Sequence, residues 1–106
     1  MGYFAVVRDA GSGWIEGKGA FEQPGVDDHA AFMSQLAADG FVLFAGPLAG
    51  SETGRIRVLL IADAQSEREV YDTLAGDPWA RSQSLSTSSV ETWMPIVGAE
   101  RLTPAT

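Results

Sequence analysis

Apolar residues fall into four short blocks separated by two stretches of helical period. The first block, "YFAVVR" (3–8), is rich in β-branched and aromatic residues and predicts a strand. "VDDHAAFMSQLAADG" (26–40) predicts a helix: Met33, Leu36 and Ala37 share a face with Ala30 above them. Asp27 or Asp28 can cap its start, and Gly40 stands where a C-terminal glycine belongs. "FVLFAGPL" (41–48) is the second strand and "RIRVLLIADA" (55–64) the third, with the turn-like "AGSETG" (49–54) between them. "SEREVYDTLAG" (66–76) opens with Ser66 and Glu69 at the spacing of a capping box, and Val70 and Leu74 give it a core face. "DPWARSQ" (77–83) suits a short helix with Asp77 as cap and Pro78 at its first position. After serine-rich "SLSTSS", the block "VETWMPIV" (90–97) predicts the last strand.

The order is β-α-β-β-α-β, the split βαβ pattern of an α+β, ferredoxin-like unit. Both helices then pack on one face of an antiparallel sheet. A sheet with one wet face should alternate apolar and polar residues, yet "FVLF" and "VLLIA" do not. The second face is therefore expected to be covered too, and the chain has no third layer to cover it. A second copy, sheet against sheet, is the economical cover. Residues 1–98 read as one domain and 99–106 as a C-terminal tail.

Between the first strand and first helix lies "DAGSGWIEGKGAFEQPG" (9–25), with five glycines and a proline. A connection this long is either a functional lid or a flexible surface excursion. Trp14, in its middle, needs somewhere to bury its ring.

The chain has 106 residues, enough for one core. Its net charge of −7 repels phosphate backbones, so nucleic acid is not an expected partner. No apolar run reaches membrane-spanning length, and the N-terminal residues lack the pattern of a signal peptide. The absence of cysteine removes disulfides and thiol catalysis and fits a cytoplasmic location. With a single histidine as well, no metal or other cofactor is expected.

Motifs for nucleotide binding, serine hydrolysis and zinc peptidase chemistry are missing. The only histidine, His29, falls in the first turn of its predicted helix. The field there favours the neutral ring, the form a general base needs. The residues alone leave open whether His29 does chemistry or is a polar helix-start residue. Asp77 is fully explained as a cap, although a capping carboxylate keeps one oxygen free. Arg55 and Arg57, two apart on a strand, can hold an anion or occupy a solvated strand start. Trp79 and Trp93 can serve the core, an interface or a pocket wall.

His29, the helix to Gly40, "FAGPL" (44–48), "ADAQSEREV" (62–70) and "GDPWA" (76–80), in that order, resemble the YciI-like (YCII-related) family over most of the chain. That resemblance implies a dimeric α+β barrel with a pocket in each protomer. It implies that His29 pairs with Asp77 and that Gly46 and Pro47 shape the pocket wall. Trp14, Trp79 and Arg57 complete the expected substrate-binding set. The family includes dehydrochlorinases of chlorinated hydroxyquinols, and related barrels include muconolactone isomerases. The expected function is thus proton transfer on a small organic molecule by a His–Asp pair, of lyase or isomerase type. The alternative is a dimeric module that binds a small molecule without turning it over.

Overall fold

The computed structural model describes residues 2–51 and 55–102. Four strands form one antiparallel sheet: β1 (Gly2–Ala10), β2 (Val42–Pro47), β3 (Arg57–Ala64) and β4 (Leu85–Trp93). Their order across the sheet is β2-β3-β1-β4. Helices α1 (Val26–Ala38), α2 (Glu67–Leu74) and α3 (Pro78–Arg81) cover one face, so the predicted ferredoxin-like unit is the observed one. No helix among the described residues is long and apolar enough to cross a membrane.

On β1 the buried side chains alternate: Phe4, Val6 and Arg8 face the helices. Their partners on β3 are Ala62, Leu60 and Val58, which must share that inner face. Phe4, Val6, Leu60, Ala62, Val70, Leu74 and Val90 form the main core, with Met33 and Leu36 of α1 packed against it. Each apolar side chain of this size contributes about 1.5–3 kcal/mol when fully buried. A second cluster, Trp14, Trp79 and Leu85, closes the end of the sheet where Arg8 lies.

Several local expectations change. In α1, Phe32, Met33 and Leu36 are half-buried with His29, one turn-spaced stripe, while Ala30 and Ala37 are exposed. Neither Asp27 nor Asp28 caps α1; Gly25 holds the N-cap position. Gly40 ends the helix with a φ of +85°, and Ser66 caps α2 by accepting from the Glu69 amide at 3.1 Å, both as predicted. The last strand starts five residues earlier than predicted, at Leu85, and ends at Trp93. The serine-rich segment pairs with β1 as the sheet's edge, where one side of each residue needs no apolar neighbour. Pro95, which has no N–H to donate, lies two residues beyond the strand's end.

Loop 11–25 is neither a free lid nor a loose excursion. The Gly11 and Gly13 amides donate to the Ser84 and Gln83 carbonyls at 3.0 and 2.9 Å. A Cβ at Gly11 would stand 2.2 Å from the Gln83 carbonyl oxygen, so this close approach requires glycine. Buried Gln23 bridges Ile15 and Lys18 through three hydrogen bonds, and Trp14 buries its ring edge-on to Trp79. Residues 52–54 of the predicted turn and 103–106 of the predicted tail lie outside the described residues. Residues Ala99–Leu102 form a 3-10 turn whose last carbonyl accepts from the Tyr3 hydroxyl at 3.4 Å.

Candidate functional site

Asp77 is the centre of the site, and its position follows from its role as a cap. Its backbone is extended and its Oδ1 accepts from the Trp79 amide at 2.9 Å. Pro78, at the first helical position, has no amide to compete. The carboxylate is fully buried. Its Oδ2 receives two further donors, His29 Nδ1 and Arg8 Nη1, each at 2.8 Å.

His29 reaches Asp77 from the first turn of α1, its Nδ1 also 2.9 Å from Oδ1. The imidazole lies flat on the indole of Trp79, with ring centroids 4.0 Å apart and planes 9° from parallel. Trp79 in turn is fixed by its Nε1, which donates to the Pro24 carbonyl at 2.8 Å. The ring of His29 is thus held by a hydrogen bond at one edge and a stacked ring on one face.

Burial alone pushes the Asp77 carboxyl up. The hydrogen bonds from His29, from the Trp79 amide and from Arg8, with the charge of His29, outweigh burial and hold it below its ordinary value. The carboxyl is therefore ionised at neutral pH and can only accept. That settles the tautomer: Nδ1 carries the proton shared with Asp77, and in the neutral ring Nε2 keeps the lone pair.

Arg8 is the site residue that the sequence reading missed. It is 1% exposed, the largest fully buried side chain among the described residues, and pairs with Asp77. Its signal was present: Phe4, Val6 and Arg8 share one strand register, which places a cation on a core face. The β1–β4 register shifts between Val7 and Arg8, the kind of irregularity that often aims a side chain beside a site.

Arg8 and His29 line a cavity of about 200 Å³ with Met33, Gly46, Pro47 and Leu85. Gly46 and Pro47 line the same cavity as His29. Trp79 supports the His29 ring from behind. Trp14 lies one layer further, against Trp79, and lines a neighbouring cavity that also includes Pro47. Arg57 is on the opposite face: it is paired in register with Asp9, is largely exposed, and lies 3.9 Å from the Asp9 carboxylate. Arg55 precedes the strand and ties the loop down through Glu16 and the carbonyls of Ala10 and Gly11.

No family model and no curated protein matches the sequence. Among solved structures, the fold is similar to that of 5-chloro-2-hydroxyhydroquinone dehydrochlorinase from Burkholderia phenoliruptrix AC1100 in complex with 2,5-dihydroxybenzoquinone. The TM-score is 0.56 at 21% identity, over 92% of this chain and 97% of that one. At that identity the likeness speaks for a shared fold.

Proposed function

We propose that the protein is a small-molecule enzyme of the YciI-like family and of lyase or isomerase type, with His29 as general base. The observation that carries this is the orientation of one ring. Asp77 accepts the hydrogen bond from Nδ1–H, so Nε2 is the basic atom of the neutral imidazole, on a side chain that lines a cavity. Asp77 holds the ring and balances the imidazolium that forms, and stacking on Trp79 keeps the ring from turning.

The substrate is a small cyclic or carbonyl-activated compound, since about 200 Å³ accommodates little more than one ring. In an elimination, the proton passes to Nε2 and the electron pair left behind forms the new double bond. Chloride or another leaving group departs with its bonding pair. The dehydrochlorinase activity and the hydroxyquinone of the structural neighbour support this chemistry. A homodimer formed through the exposed sheet face completes the proposal: Phe44 is 58% exposed there, on the same face as Leu59 and Trp93.

The test is chloride release from 5-chloro-2-hydroxyhydroquinone and a panel of halogenated hydroquinols, read beside solvent-deuterium exchange into cyclic ketones. His29→Gln should lower turnover by about 10²–10⁴-fold while the fold is kept. A folded His29→Gln variant with full activity would refute the proposal. Saturable binding across the panel without any turnover would favour a non-catalytic binding module.

A further inference from the structure

Asp77 engages only one nitrogen of Arg8. Nη1 donates to Asp77 Oδ2 at 2.8 Å and lies 3.9 Å from the sulfur of Met33. Nε and Nη2 are buried and have no hydrogen-bond partner among the described residues. A guanidinium stays protonated at any physiological pH, so these donors cannot be silenced by loss of a proton. Buried donors are nearly always satisfied in folded proteins, and an exception beside a cavity asks for an acceptor from outside the chain.

We infer that the Nε–Nη2 edge of Arg8 is a binding site for a planar oxyanion, and that the ligand of this cavity is a small apolar ring with two oxygens on one edge. The two N–H bonds on that edge run side by side and match two coplanar oxygens, as in an aryl carboxylate or a vicinal keto-enolate. The rest of the cavity suits an apolar ring: Met33, Ala45, Pro47, Val58, Leu60 and Leu85 line it, and its ionisable side chains are Arg8 and His29. Both nitrogens are shielded from bulk solvent, so an acceptor reaches them only through the cavity wall. Met33, unbranched and in contact with the guanidinium, is the wall residue best able to give way.

As a statement about substrate, this inference rests on the function proposed above, and there the charges balance. Arg8 and Asp77 cancel before the reaction. When a proton passes from a neutral substrate to His29 Nε2, imidazolium and substrate anion form together. The fork then holds the oxygens on which the negative charge settles, and no unpaired charge is buried.

Benzoate and its neutral isostere benzamide test the site by calorimetry at physiological ionic strength. The wild-type protein should bind benzoate at least about tenfold more tightly, the advantage of charge-assisted over neutral hydrogen bonds. Arg8→Lys keeps the charge beside Asp77 but loses the fork, and should remove that preference; His29→Gln should retain it. The test does not depend on a stable Arg8→Lys variant, because ¹⁵N-arginine labelling of the wild-type protein reads the same contact. The Arg8 Nε–H resonance should move on benzoate titration and stay still with benzamide. Benzoate binding no tighter than benzamide, or an unmoved Arg8 Nε–H, overturns the site and leaves the proton-transfer reading standing. An Arg8-dependent benzoate preference in a protein whose His29→Gln variant keeps full turnover supports the site and refutes that reading.

Discussion

On the face covered by helices, the sheet buries Arg8 and sets Asp77 against it. On the other face it leaves Phe44, Leu59 and Trp93 in contact with solvent. Each face carries what the opposite one would be expected to hold. A buried ion pair is weak evidence for stability, because desolvating two charges costs about as much as their attraction returns. Its presence on a core face therefore points to a use, and here the shared carboxylate also orients His29. An exposed apolar sheet face points outward in the same sense, to a partner surface. The inner face carries the chemistry proposed for one chain; the outer face accounts for the proposed pairing of two.

The largest effect separating the faces is thermodynamic. Asp77→Ala leaves the Arg8 guanidinium buried without its counter-charge, and should cost about 3–5 kcal/mol. Phe44→Ser on the outer face should change the stability of the dilute single chain by no more than about 0.5 kcal/mol. Urea unfolding of both variants at equal, low concentration measures the contrast. Equal losses would mean that the two faces do not differ as described.

The second effect belongs to the outer face. Phe44→Glu combined with Trp93→Glu puts two negative charges on the surface proposed to meet its own copy, in a protein already at −7. Sedimentation should show a wild-type dimer and a monomeric double variant with an unchanged far-UV spectrum. A wild-type protein that stays monomeric at high concentration would remove the dimer and leave the inner site untouched.

The sequence disclosed the outer face better than the inner one. Unbroken apolar runs in β2 and β3 were enough to show that the second face is apolar, since alternation depends only on the strand's period of two; its cover by a second copy is part of the proposal. His29, Asp77, Gly46 and Pro47 were singled out only through the family resemblance that the order of their motifs carries. Arg8 was not, because "VVRD" reads as the polar end of a strand until the register shows Arg8 beneath the second cluster. Arg57 carried the more obvious anion-binding signal but pairs with Asp9, one residue out of phase with Arg8 and so on the other face. The start of β4 was hidden for a related reason: a serine-rich edge strand takes its order from the backbone ladder with β1, which leaves no hydrophobic trace. Loop 11–25 looked mobile by its glycines, yet Gly11 and Gly13 are there to let the backbone come close to Ser82–Ser84.

Acid should act on the inner face selectively, and more weakly than substitution. The folded Asp77 pKa lies below the ordinary carboxylate value, so its contribution is complete above that value. It is lost as pH falls from there through the folded pKa. Asp77→Asn should flatten the stability profile in that acidic window by comparison with wild type, as urea midpoints measured at intervals down to strongly acidic pH will show. Identical profiles would mean that Asp77 is no more ionised in the folded protein than in the unfolded chain.

The smallest effect calibrates the first. Asp77 is both an ion-pair partner and the cap of α3, so the loss on Asp77→Ala mixes two causes. Ser66 caps α2 by the same kind of bond, with its side chain accepting from the Glu69 amide and with no charged partner. Ser66→Ala should therefore cost about 1 kcal/mol, the ordinary worth of a cap. Subtracting that from the Asp77→Ala loss isolates what Arg8 and His29 contribute. If the two variants lose the same amount, Asp77 is only a cap, and the buried face holds no network that needs a function to explain it.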